Sequence, residues 1–176
     1  SISVTRWRSD TTRDNWGSFC YIRDPHTNEV WSNTWQPMGG NANSSDEIIF
    51  TDAGAEFRRT LGALSVRTQV VVSPEDDIEL RRVTLVHHGR LPRTLELTTY
   101  AEVVIAPETS DLAHPAFSNL FIETEIDHSR DAILCHRRPR SQDEPSPFLF
   151  HMMVVHSNDH NEASFETDRA KFIGRG

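Results

Sequence analysis

From Leu95 onward the chain alternates. Leu95, Leu97, Thr99, Ala101, Val103 and Ile105 fall on one side of an extended backbone, and Glu96, Thr98, Tyr100 and Glu102 on the other. Successive strand side chains point to opposite faces, so this pattern predicts one long, half-buried strand over 95–105. A helix would instead repeat its apolar positions every three to four residues. The period of two returns at Val66, Thr68, Val70 and Val72, opposed by Arg67, Gln69 and Ser73, with Val71 breaking the polarity but not the pattern.

Over 78–88 the apolar phase changes, with Ile78 and Leu80 on one face and Val83 and Leu85 on the other, which predicts a bulge or two covered faces. The turn residues His88-Gly89-Arg90-Leu91-Pro92 then predict a hairpin onto the strand at Leu95. Further strands are expected over 18–22, 47–51, 120–126, 132–136 and 148–156. The last is apolar almost throughout, as a central strand covered on both faces would be. Helical periodicity is confined to a short turn over 167–172, and two long loops are expected at 106–117 and 137–147. The fold class is therefore all-β, and the strand lengths favour a large sandwich. With no internal repeat or linker, residues 1–176 read as one domain of a size that buries roughly 70% of its unfolded surface.

Composition narrows the function classes. A formal charge of -8 leaves no surplus of cations to grip nucleic acid, and no apolar run approaches the ~18 residues of a membrane helix. Arg137, Arg138 and Arg140 form one basic cluster, read as a solvated loop beside Asp143 and Glu144. Cys20 and Cys135 permit at most one internal disulfide, too few for a disulfide framework. The opening residues lack the pattern of a signal peptide, and both ends read as cut from a longer chain.

The residues offer few catalytic constellations. His151 and His156 would face opposite sides of one strand, and His156 and His160 lack a helix to bring them together, so no metal site is expected. Glu75-Asp76-Asp77 is the densest acidic group. Acid and base in glycoside chemistry must flank the substrate at ~5–10 Å, which adjacent loop residues do poorly, so a solvated turn after Pro74 is expected. No phosphate loop, nucleophile elbow or dinucleotide fingerprint is present, and Gly39-Gly40 reads as a turn. Trp7, Trp16, Trp31 and Trp35 crowd the first 35 residues among Arg6, Arg8, Arg13, Arg23 and Asp24. Flat aromatic faces beside polar groups suit the apolar faces and hydroxyls of sugar rings, and they serve equally as core or loop anchors.

Longer stretches carry a resemblance. Thr5-Arg6-Trp7-Arg8-Ser9-Asp10, Tyr21-Ile22-Arg23-Asp24 and Val30-Trp31-Ser32-Asn33-Thr34-Trp35-Gln36-Pro37 resemble the β-sandwich region of family-94 glycoside phosphorylases. The run from Val72 to Leu85, Tyr100-Ala101-Glu102-Val103-Val104 and the run from Ala113 to Phe121 resemble the phosphorylase-like part of bacterial cyclic β-1,2-glucan synthases of the nodule-development B type. The resemblance implies an antiparallel β-supersandwich of the galactose-mutarotase-like type. It also implies a downstream helical barrel that carries the catalytic aspartate and the phosphate-binding groups. Inorganic phosphate would then be the co-substrate, β-glucan oligosaccharide and the barrel the partners, with a homodimer possible in principle and no catalytic residue in this segment. The implied parent is an inner-membrane protein, with this segment in a soluble portion on the cytoplasmic side. Trp31, together with His114, Phe117 and Asn119, stands as the candidate sugar contacts. A free-standing carbohydrate-binding module, a dimerisation domain and a mutarotase-like epimerase with a His and Glu pair compete with an accessory module.

Overall fold

The computed structural model describes residues 2–7, 12, 16–40, 44–139, 141, 142, 144, 146–156 and 162–174. Among them the strands run in order as β1 (Ser3–Thr5), β2 (Ser18–Arg23), β3 (Val30–Ser32), β4 (Ser44–Thr51), β5 (Gly54–Leu61), β6 (Leu64–Val72), β7 (Glu79–His87), β8 (Glu96–Ala101) and β9 (Val103–Ala106). Two short helices follow, α1 (Glu108–Ala113) and α2 (Pro115–Asn119), then β10 (Ile122–Asp127), β11 (Ala132–Arg137), β12 (Phe148–Met152) and α3 (Arg169–Ile173). All strand pairs are antiparallel. The chain divides into two compact units, Arg8–Ala101 and the pair of segments Ser1–Trp7 and Glu102–Gly176.

The unit Arg8–Ala101 is a sandwich of a four-stranded sheet, β4-β5-β6-β7, on a three-stranded sheet, β3-β2-β8. Alternation chooses its core. Leu61, Leu64 and Val66 come from one sheet and Ile22 from the other, with Trp31, Val83, Leu85, Leu95 and Leu97 packed around them. Burying a side chain such as Ile22 or Leu64 completely contributes about 1.5–3 kcal/mol. Two residues, Gly62 and Ala63, join β5 to β6, and Gly62 takes the positive φ of 58° that such tight hairpin turns require.

Two expectations fail here. The ladder between β6 and β7 runs in unbroken register from Leu64↔His87 to Val72↔Glu79, so the predicted bulge is absent and Leu80 is simply on the exposed face. Nor do β7 and β8 form a hairpin. β7 pairs with β6 and β8 with β2, so the turn after His87 carries the chain from one sheet of the sandwich to the other. Glu75-Asp76-Asp77 forms an exposed turn in which the Ser73 hydroxyl accepts from the amides of Glu75 and Asp76 at 3.3 and 3.1 Å.

On the outer face of the four-stranded sheet, Glu56 accepts from Arg58 and Arg67 at 2.6 Å each. Hydrogen bonds from Arg67 and then Arg58 hold its carboxyl down at about 2, from an ordinary 4.5. A carboxyl depressed in the folded state stabilises above its unfolded pKa and loses that contribution as pH falls through the folded one. The melting temperature of the wild-type chain is therefore expected to fall between about pH 4.5 and 2, and Glu56→Gln to flatten part of that slope. Thermal melts of both proteins across this range check it, and identical slopes would count against the ion pairs.

In the other unit β1 pairs with β9, and β10-β11-β12 form a three-stranded sheet. The predicted strand over 95–105 is divided at Glu102, into β8 and β9. Register shifts between β1 and β9, and in that stretch Ile105 has a positive φ of 45°, costly for a β-branched residue by about 1–3 kcal/mol. Burial of Val104, Ile105 and Ala106 offsets it. The run over 148–156 is a second correction. Only Phe148–Met152 is strand, it lies at the edge of its sheet, and Phe148 and Phe150 are 72% and 61% exposed. Leu149 and His151 turn to its more covered face. The short turn expected over 167–172 is α3, capped by Asp168, whose side chain accepts from the amides of Ala170 and Lys171. No helix among the described residues is long and apolar enough to cross a membrane.

Candidate functional site

The segment expected as a loop over 106–117 is instead helical, for local reasons. Pro107 opens α1, accepting from the amides of Ser110 and Asp111 at 3.0 and 3.3 Å. His114 precedes a proline, which disfavours helical backbone, and it adopts φ -146° and ψ 70°. Pro115 then occupies the first turn of α2, where its missing N–H costs nothing. The result is a sharp corner with His114 at its apex.

Under this corner lies Arg6, 5% exposed. Its Nε and Nη2 donate to the two oxygens of Asp111 at 2.9 and 2.8 Å. Nη1 donates to Glu102 at 3.2 Å, and Nη2 also reaches Pro115 O and Asn119 Oδ1, each at 2.9 Å. One guanidinium thus ties β9's approach, α1 and α2 together. The hydrogen bond to Asp111 leads the causes that raise its proton affinity, against the cost of burial. Glu102 is shared with Arg169 of α3 at 2.8 Å.

Arg137 holds the other side. The basic cluster was expected to be solvated, but Arg137 is buried in β11 and donates through Nη1 to Val104 O, Ser118 O and Ser118 Oγ at 3.2–3.3 Å. A cation so placed must find acceptors, and these carbonyls supply them. Arg138 remains exposed beside Glu123 at 3.7 Å, and Arg140 lies outside the described residues. Arg8, Arg13, Asp143 and His160 also lie outside them.

Between the helices is a cavity of about 280 Å³ lined by Thr109, Ser110, Ala113, His114, Phe117 and Ser118. Phe117 stands edge-on to Phe121 at 5.1 Å and stays half exposed. Two candidate residues, His114 and Phe117, therefore share one concavity with three hydroxyl side chains. Asn119 sits at the end of α2, and its carbonyl oxygen is engaged by Arg6, which makes it a support of the corner. Trp31 belongs to the other unit, where it packs on the Ile22 core under the guanidinium of Arg93, 5.1 Å from the ring centroid. Arg93 is held there by Asp24 at 2.7 Å.

An aromatic edge beside hydroxyls can receive a sugar. Outside this lining, the carboxyls of Asp24, Glu56 and Asp127 are held below the ordinary carboxylate range, first by their hydrogen bonds to Arg93, Arg67 and Ser129 respectively. Among the described residues no three His, Cys, Asp or Glu side chains gather as metal ligands. Cys20 and Cys135 are buried free thiols, and burial pushes that of Cys20 up to about 11.

A family model described as the supersandwich domain of glycosyl hydrolase 94 matches residues 1–176. The chain is 37% identical to the cyclic beta-(1,2)-glucan synthase NdvB of Rhizobium meliloti (strain 1021) over 174 residues, 99% of this chain and 6% of that protein. It is also 27% and 24% identical to the N,N'-diacetylchitobiose phosphorylases of Vibrio furnissii and Vibrio proteolyticus over 109 residues, 61% of this chain and 14% of each. The chain thus spans a small part of the relatives it matches. The antiparallel architecture agrees with the match, and the chain belongs to the supersandwich-domain family of glycosyl hydrolase 94.

Proposed function

We propose that residues 1–176 act as an accessory supersandwich module in a phosphorylase-like region that works on β-1,2-glucan. The observation that carries this reading is the 37% identity to a cyclic glucan synthase along 99% of the chain. In this reading acid catalysis and phosphate binding belong to a separate helical barrel of the parent protein. Inorganic phosphate is the co-substrate there, and the parent is an inner-membrane protein with this module on the cytoplasmic side. The corner at His114 and Phe117 contributes weak sugar contact.

The test is turnover. The purified 176-residue chain, incubated with β-1,2-glucan and phosphate, is expected to release no glucose 1-phosphate above background. Cleavage requires a proton for the leaving oxygen and a positioned nucleophile together. Phosphate-dependent release that disappears when one of the chain's own carboxylates is replaced would overturn the accessory reading.

A further inference from the structure

We propose that loop 32–40 is a preformed platform for a neutral sugar ring, with the indole of Trp35 as its stacking surface, a proposal that rests on the glucan reading above. A surface loop ordinarily keeps its freedom, but this one is fixed from beneath by a buried cation. Arg59, at an inward position of β5 and 3% exposed, donates through Nη1 to Ser32 O at 3.3 Å and to Thr34 O, and through Nη2 to Gly39 O. Its Nε lies 3.4 Å from Asp46 Oδ1. Three loop carbonyls therefore converge on one guanidinium.

The loop also closes on itself. The Ser32 hydroxyl donates to Thr34 O at 2.7 Å, the Thr34 hydroxyl to Gln36 O at 2.9 Å, and the Gly39 amide to Trp35 O at 2.7 Å. Asn33 anchors it inward, donating to the Thr68 hydroxyl at 2.9 Å where both residues are buried. Yet the two largest apolar side chains of this fixed loop point outward, with Trp35 50% and Met38 53% exposed. The indole has a defined seat. A Cβ at Gly40 would stand 2.3 Å from the benzo ring, so only glycine lets the ring lie there, while the guanidinium carbon of Arg59 sits 5.9 Å from its centroid.

A rigid aromatic ring offers contact area at little entropic cost, and the apolar face of a pyranose is the complement it fits. Met38 adds an adaptable apolar edge. Charge selects a neutral ligand over an anionic one. The cation of Arg59 is taken up by the loop's own carbonyls above it, the carboxylate of Asp46 lies beside it, and the chain carries -8 overall. Trp31, the tryptophan favoured from sequence, is by contrast covered by Arg93 and the core.

Isothermal titration of the whole 176-residue chain with β-1,2-linked gluco-oligosaccharides tests this, using Trp35→Ala, Trp35→Phe and Gly40→Ala, each checked for an unchanged melting curve. Wild type is expected to bind, Trp35→Ala to lose about tenfold or more in affinity, and Trp35→Phe to recover part of the loss. Gly40→Ala, which displaces the indole while keeping it, is expected to weaken binding as well. Wild-type affinity in Trp35→Ala, or no binding by any of the proteins, overturns the platform. So does a self-association seen in sedimentation that Trp35→Ala abolishes, which would make the loop a protein contact. If only His114→Ala or Phe117→Ala weakens binding, the platform falls and the glucan reading stands; turnover by the chain sinks the accessory reading whatever Trp35 does.

Discussion

Replacing Arg6 with methionine is expected to lower the melting temperature by about 10 °C or more, because breaking a buried ion pair from one side costs about 3–5 kcal/mol. Asp111 would lose this cation in a largely dry setting while Glu102 keeps Arg169, and Pro115 O and Asn119 Oδ1 would lose a donor. Arg6→Lys should recover only part of the loss. A lysine carries the charge but not the planar fork that spans both oxygens of Asp111 while reaching α2. Since the same guanidinium fixes the angle between α1 and α2, the cavity at His114 and Phe117 should lose its shape along with the stability. Calorimetric melts of the three proteins check the prediction. A methionine variant within about 2 °C of wild type would show that the network is peripheral to the fold.

Buried arginine, as a residue type, accounts for much of what the sequence hides. Strands with clean alternation, such as the one read at Val66, Thr68, Val70 and Val72, are legible because each position of one face is apolar or, at Thr68, small. The strand Gly54–Leu61 was not anticipated, since its inward set is Ala55, Phe57, Arg59 and Leu61, and an arginine in the apolar phase masks the period. Arg137 likewise reads as part of a surface cluster until its three acceptors are seen. Buried arginines are visible only through their partners, and those partners are remote in sequence: Asp111 is 105 residues from Arg6. Pairing hid the rest. Nothing local in His88-Gly89-Arg90-Leu91-Pro92 distinguishes a hairpin turn from a crossing between sheets, because both need the same turn chemistry. The apolar run from Phe148 onward was read as central, but hydropathy does not register how many neighbours a strand has. The candidates His114 and Phe117 lie in the run from Ala113 to Phe121 that carries part of the family resemblance. The helices that bring them together follow from Pro107 and Pro115, signals present in the sequence but outweighed by the scarcity of helical period elsewhere.

The second large effect is expected at Arg59. In Arg59→Met the carbonyls of Ser32 and Gly39 and the carboxylate of Asp46 lose their cation, whereas Thr34 O keeps the Ser32 hydroxyl. Leaving the buried Ser32 carbonyl and the part-buried Gly39 carbonyl without their charged donor puts the cost at about 3–5 kcal/mol, to which the exposed Asp46 adds little. Thr68→Val, which removes only the hydroxyl accepting from Asn33, should cost less, about 1–3 kcal/mol, because one buried donor is orphaned rather than several groups. The two changes act on one loop through different anchors, so their effects should fall short of or exceed simple addition by more than about 0.5 kcal/mol. Loop order provides a readout separate from global stability. Chymotrypsin cuts after exposed aromatic residues, and Trp35 is exposed but held by a backbone that must open before a protease can accept it. Under conditions where both proteins remain folded, cleavage after Trp35 should be slow in wild type and much faster in Arg59→Met. Equal cleavage rates in the two folded proteins would mean that Arg59 does not hold loop 32–40 in place, and the destabilisation would then have to come from the sheet beneath it.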